Sequence, residues 1–144
     1  MGKGLISRLN EVFQSLDLVE LTAIAAKENE VKMVDLNRDQ MNEGILSTGN
    51  TIEPPYTQFT VDHKIKKHQR YDVVTLRDHG DFQDEMYQII SGRQYDYFSH
   101  NYIAGKLQFN YSPEIFGLTP ESRRKAWNKF LANSVRTQIN TKLQ

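Results

Sequence analysis

The chain has 144 residues, 38% apolar and 25% charged, a balance that suits one domain with a modest core and extended polar surfaces. It contains no cysteine, which excludes a disulfide framework, a thiolate zinc site and a cysteine nucleophile. Net charge is zero but unevenly placed: residues 1–55 carry 5 Lys/Arg against 9 Asp/Glu (net −4), residues 56–118 carry 7 against 8 (net −1), and residues 119–144 carry 6 against 1 (net +5). An acidic front and a basic rear predict either complementary surfaces in head-to-tail contact between copies or two solvated helix faces. No apolar run approaches the ~20 residues a membrane span needs, and MGKGLISRLN lacks the long apolar stretch of a signal peptide. A soluble, unprocessed product without a membrane partner is expected.

Leu5, Ile6, Leu9 and Phe13 share one helical stripe, so residues 4–13 predict a short amphipathic helix. Asp17 and Glu20 have capping-box spacing, Asp17 accepting from the Glu20 backbone and Glu20 reaching back. A second helix is expected from Leu18 to about Asn42, with a break near Glu28 to Glu30 and an end at Gly44. Asn29 and Asn37 weaken its middle. Ser47 to Pro55 is a breaker cluster whose paired prolines hold an extended backbone, hence a loop. Tyr56 to Gln69 mixes Phe59, Val61 and Ile65 with His63, Lys64, Lys66, Lys67, His68 and the adjoining Arg70, and reads as a helix or a ragged strand.

From Tyr71 the residues turn β-branched and aromatic, predicting a strand through Val73, Val74 and Thr75. Asp78-His-Gly-Asp81 follows as a tight turn, and Met86 to Ile90 predicts the next strand. Ser91-Gly-Arg93 makes a hairpin into Tyr95–Ser99, where Tyr95, Tyr97 and Ser99 alternate with Asp96 and Phe98. Lys106 to Tyr111 alternates apolar and polar and predicts a last strand. Thr119 as N-cap, Pro120 at the first helical position and Glu121 beside the dipole open a helix running to about Lys142. Trp127, Phe130, Leu131, Val135 and Ile139 form its apolar stripe, which is expected to dock on the sheet, while Lys125, Lys129 and Arg136 face away.

The predicted class is therefore α+β in a single domain, 1–144. It has N-terminal helices over 1–46, a loop over 47–56, a mixed helix and β segment over 57–118 with a small, mainly antiparallel sheet, and a long amphipathic C-terminal helix over 119–142 packed on that sheet.

Asp78, His79 and Asp81 lie within four residues, the raw material of a general base or a metal site. The structural alternative has Asp78 and Asp81 bonding backbone amides, Gly80 supplying a positive φ, Phe82 ordering the sheet and His79 exposed at the tip. No nucleophile partner, phosphate loop or Ser-His-Asp arrangement accompanies the cluster, so the turn is preferred and no cofactor is expected. His63 and His68 are five apart, missing the i, i+4 face of a zinc-binding pair.

Two basic segments, 63–70 and 123–136, with Lys64, Lys66, Lys67, Arg123, Arg124, Lys125 and Lys129, would serve a small DNA-binding module, with Tyr56, Phe59 and Tyr71 as stacking surfaces. Against it, the isoelectric point of about 6.9 is far below that of a typical basic domain.

VVTLRDHGDF (Val73 to Phe82), preceded by PPYTQFTVDHKIKKHQ (Pro54 to Gln69) and followed by IFGL (Ile115 to Leu118), resembles small virion proteins of tailed bacteriophages. These are the head-to-tail connector and tail-completion proteins of phages and prophages of Bacteroides-like bacteria. Their pattern reads Pro-aromatic-x-x-x-Thr-x-x-x-Lys, a short apolar strand, then Leu-x-Asp-Thr-Gly-Asp-Phe; here His79 stands where Thr is expected. The resemblance covers about the middle half of the chain, and no single residue in it carries chemistry. It implies a helix over the Tyr56–Gln69 segment and a non-enzymatic ring subunit at the phage neck or tail, located in the virion and assembled in the host cytoplasm. Its implied partners are copies of itself, a portal or adaptor protein on the head side and tail proteins on the other, with incidental contact to packaged DNA. On that expectation the loop residues Asn50, Ile52, Pro55 and Tyr56, and Tyr95, Tyr97 and Tyr102, are candidate protein-interface positions; an ordinary surface loop and a half-buried strand are the alternative.

Overall fold

Local signals set the first three helices of the computed structural model, which describes residues 2 and 4–144. Helix α1 (Leu5–Ser15) ends at Leu16, and Asp17 then caps α2 (Leu18–Glu28), accepting from the backbone N–H of Val19 and Glu20. The expected break falls at Asn29, after which α3 (Glu30–Asn42) continues to a stop at Gly44, whose φ is +72°. A β-bridge between Ile45 and Thr51 closes the following loop and turns Ile52 into the core, where it is 1% exposed.

Thr57 caps α4 (Gln58–Lys66), so this segment takes its helical alternative. Residues 71–77 form no strand, a correction to the β reading of Val73 to Thr75. Hydrogen bonds to side chains stand in for a neighbouring strand: Tyr56 Oη accepts from the Thr75 and Leu76 N–H, and Gln83 Nε2 donates to the Thr75 carbonyl at 2.9 Å.

A single helical turn, α5 (Asp81–Asp84), leads into the hairpin β1 (Met86–Ser91) and β2 (Gln94–Ser99). The strands are antiparallel, with Met86 opposite Ser99, Gln88 opposite Tyr97 and Ile90 opposite Tyr95, and Gly92 in the connecting turn has φ +60°.

The predicted strand Lys106–Tyr111 is instead inside helix α6 (Ala104–Asn110) and its cap. Its apolar residues satisfy both periods, and helix wins because Leu107 and Tyr111, one turn apart, pack together toward the core while Phe109 points outward.

After a 3₁₀ turn at Pro113–Ile115, Thr119 caps α7 (Pro120–Ala126) through the Ser122 N–H, as expected. A π-helical turn at Trp127–Leu131 then joins α7 to α8 (Ala132–Leu143). The π turn inserts one extra residue, so the buried face runs Ser122, Ala126, Leu131, Val135, and Trp127 is displaced from the expected stripe and left 45% exposed. This long element docks chiefly against α2 and α3 rather than on the sheet; the hairpin packs on α3 as well, and α3 becomes the hub. Asn37 on that hub does the opposite of weakening the helix. It is 0% exposed, donates through Nδ2 to the Ile115 carbonyl at 3.1 Å and accepts from the Gly117 N–H at 3.0 Å. Gln40, one turn on, repeats the arrangement with the Gly117 carbonyl and the Thr119 N–H, each at 2.9 Å.

Candidate functional site

The motif segments meet through two side chains that neither composition nor periodicity singled out as structural. Thr57 caps the entry to α4, and Tyr56 and Lys64 lie over the coil at 71–77. Besides receiving the Thr75 and Leu76 N–H, the Tyr56 ring lies 4.9 Å from Lys64 Nζ. Lys64 Nζ donates to the Arg77 carbonyl at 2.6 Å and the residue is 5% exposed. That removes Lys64 from the expected basic contact surface: its stem is packed and its charge is occupied. The signal was its place in the Tyr56-x₇-Lys64 spacing of the family-like pattern, in which a lysine counted as surface charge serves as a brace.

The Asp78–Asp81 turn follows. Gly80, at φ +98°, opens α5, and His79 sits at the exposed tip, as expected. Asp78 does not bond backbone amides; Lys67 Nζ lies 2.5 Å from its Oδ1, and Gln69 Nε2 donates to its backbone carbonyl. The Lys67 hydrogen bond, assisted by the nearby charges of His79, Lys67 and His63, holds the Asp78 carboxyl below its ordinary 3.8. His79 Nε2 is 3.5 Å from Asp78 Oδ2, but both side chains are well exposed, at 71% and 61%. Among the described residues no three His, Asp or Glu side chains are grouped to share a metal ion. Phe82 is buried beneath this turn, in tilted contact with Phe116 at 5.7 Å between ring centroids.

The facing wall is built by residues 100–111. Asn101 accepts from the Ile103 N–H and donates to Glu85 at 3.0 Å, setting the entry to α6. Between α4 and α6 lies a groove of about 580 Å³, with Leu76, Gly80 and Phe82 among its lining and Tyr56, His63, Tyr102, Lys106 and Leu107 along its sides. Three aromatics on or beside α4 and α6 are almost wholly in water: Tyr102, in the groove's lining, is 94% exposed, and Phe59 and Phe109, outside that lining, are 83% and 90% exposed.

Of the residues expected to carry function, the groove thus gathers Tyr56, Lys64, Asp78, Gly80, Asp81, Phe82 and Tyr102. Others lie elsewhere. Ile52 and Tyr97 are buried, at 1% and 2% exposed, and leave the set of candidate contacts. Burial raises the Tyr97 phenol, Tyr95 adding to the effect, and its hydroxyl donates to Gln88 Oε1 at 3.0 Å. Asn50 and Pro55 are exposed on the loop, and Tyr95 lines a second hollow with Arg93 and Arg123. Arg124, Lys125 and Lys129 share a third with Asp39 of α3 and Glu43 at its C-cap. Two carboxylates of the acidic front and three cations of the basic rear thus line one hollow within the chain. Lys66 is exposed on α4. Phe59, expected only as a stacking surface for DNA, is 83% exposed, and Phe109 was missed as a contact candidate; full exposure of an aromatic depends on which helix face packs, which the local pattern left undecided. Compared with known proteins, the chain matches no family model, no curated protein and no solved structure.

Proposed function

We propose that this protein is a non-enzymatic structural subunit of a tailed-phage neck or tail, a connector, terminator or completion protein that assembles with copies of itself into a ring. Its other partners are a portal or adaptor protein on the head side and tail proteins on the other. The resemblance of VVTLRDHGDF and its flanking segments motivates the reading. One observation carries it further: Phe59 on α4, Phe109 on α6 and Tyr102 just before α6 stand exposed, and Tyr102 is in the lining of the groove that this same motif lines. Each such ring removes on the order of 150–250 Å² from water when covered, and a chain that stays alone gains nothing from displaying three together. Closed rotational assembly covers such surfaces with the fewest free edges. No helix among the described residues is long and apolar enough to cross a membrane.

Light scattering and negative-stain imaging, with the protein alone and mixed with a phage portal protein, test the reading. Rings, or a monomer that assembles on the portal, are expected; a monomer inert toward every virion protein would sink it. Salt-sensitive retention of duplex DNA, lost when Lys66 and Arg124 are neutralised, would favour the DNA-binding alternative instead.

A further inference from the structure

The hollow beside Tyr95 differs from its neighbours in charge. The α4–α6 groove sets Asp78 and Asp81 beside its cations, and the hollow between α3 and α7 sets Asp39 and Glu43 beside its own. Glu28 lines a further one with Lys32 and Lys129, and Glu43 and Asp78 another with Arg70 and Arg77. The Tyr95 hollow, of about 710 Å³, is lined by Arg93 of the hairpin turn and Arg123 of α7, with no carboxylate in its lining. Asp96 is turned aside, accepting from Gln94 Nε2 at 3.0 Å. Among the described residues neither the Arg93 nor the Arg123 guanidinium has a hydrogen bond or ion pair in its own chain. Arg38 and Arg70 are by contrast occupied, Arg38 by Asp35 and the Gln83 carbonyl, Arg70 by Asp72 and Glu43. Ser47 and Ser91 add two hydroxyls to the same lining. Its floor is apolar: Met33, Tyr97 and Leu118 are buried there, and Leu118 comes from the IFGL segment for which the ring reading gives no task. Gly117 of that segment has φ +116° and passes so near Ser47 that an added Cβ would stand 3.0 Å from the serine Cβ.

We infer that this hollow binds a small phosphomonoester, its phosphate held between Arg93 and Arg123 and its organic body laid over Met33, Tyr97 and Leu118. The inference stands apart from the ring reading. A guanidinium is always charged and presents its N–H groups as a planar fork that fits phosphate oxygens two at a time. Two such forks and two hydroxyls outnumber what one carboxylate can accept. A terminal phosphate, with about −1.5 to −2 charge at neutral pH and three acceptor oxygens, answers them better. Size decides the rest of the ligand: the hollow falls within the roughly 300–1,000 Å³ of small-molecule sites and exceeds what a bare ion fills, so an attached body covers the apolar floor. A duplex backbone fits less well. Its phosphodiesters carry one charge each and lie on a convex surface, where this site is concave.

Calorimetric titration of the full chain with AMP, adenosine, inorganic phosphate and a short DNA duplex tests this. AMP should bind more tightly than inorganic phosphate, which lacks the body, and than adenosine, which lacks the charge. Arg93→Gln and Arg123→Gln should each weaken AMP roughly tenfold or more. Both side chains are exposed, so thermal melting without ligand should not move. Lys66→Gln, an exposed change on α4, removes one charge away from the hollow and should leave AMP binding as it was. No heat from AMP at millimolar concentration, or an equal loss in Lys66→Gln, overturns the inference. Adenosine or inorganic phosphate binding as tightly as AMP overturns it too, because either the phosphate or the floor is then not recognised. Duplex DNA held through Arg93 and Arg123 by a chain that ignores AMP would assign the arginines to a nucleic-acid backbone instead. None of these outcomes bears on whether the chain forms rings, which light scattering reads separately.

Discussion

The contact between α3 and residues 115–119 and the groove between α4 and α6 treat side chains in opposite ways. Around α3, amides are inside: Asn37 is 0% and Gln40 6% exposed, and each exchanges two hydrogen bonds with the backbone of the Ile115–Thr119 segment. On and beside α4 and α6, which flank the groove, aromatics are outside, with Phe59, Tyr102 and Phe109 at 83–94%. A buried amide is tolerable only when every donor and acceptor is met, and here no buried side-chain nitrogen or oxygen among the described residues lacks a partner. The first region is finished within one chain. The second has apolar surface that one chain cannot cover.

Changes in the finished region should therefore cost the most. Asn37→Ala strands the Gly117 N–H and the Ile115 carbonyl and leaves a void, so unfolding in urea should show a loss of about 2–4 kcal/mol. A loss below about 1 kcal/mol would mean that water replaces the amide and that the contrast is overstated. Next is Gly44→Ala, at the end of the same helix. At φ +72° an L side chain is strained, and its Cβ would sit 2.7 Å from Val73 Cβ, a branched atom with no freedom to swing away. About 2 kcal/mol is expected, and Val73→Ala should recover only the steric part, which a four-member thermal-denaturation cycle would separate.

How much of this was legible follows from how local each signal is. Asp17, Thr119 and Gly92 act within three residues of themselves, and the α2 cap, the α7 cap and the hairpin turn all fall where the spacing put them. The break at Asn29 is of the same kind. Lys106–Tyr111 failed because its alternation is also a one-turn helical repeat, and only the core decides which residues turn in. Lys64 failed for a related reason: its partner, the Arg77 carbonyl, lies thirteen residues away and exists only once the coil has been folded over α4. Asn37 looked like a helix weakener because its partners are 78 and 80 residues distant. The ring reading depends on which surfaces remain uncovered, which no window of sequence contains.

A smaller effect probes the finished region by pH. Tyr97 is 2% exposed, and burial lifts its phenol above the ordinary 10. The folded chain holds that proton more tightly than the unfolded chain does. The corresponding stability is complete below pH 10 and falls as pH rises from there toward the raised folded value, by at most about 1.4 kcal/mol per pH unit. Urea midpoints between pH 9 and 11 should fall less steeply for Tyr97→Phe than for the parent. Because lysine titration is common to both proteins, the difference in slope isolates the phenol, and equal slopes would mean that Tyr97 is reached by water.

The smallest expected change in stability lies in the unfinished region. Phe109 is 90% exposed on α6, so its transfer from water on folding is nearly nil. Phe109→Ser should alter the urea midpoint by no more than about 0.5 kcal/mol, within the usual range for a surface site. If copies assemble as proposed, the same substitution should still lower the weight-average mass at fixed concentration, because the proposed ring would lose an exposed aromatic available to contacts between copies. Asn37→Ala, measured beside it under conditions where it remains folded, should leave that mass unchanged. If Phe109→Ser instead destabilised the isolated chain by more than about 1 kcal/mol, the aromatic would be holding the monomer together, and α6 would belong with α3 on the finished side of the molecule.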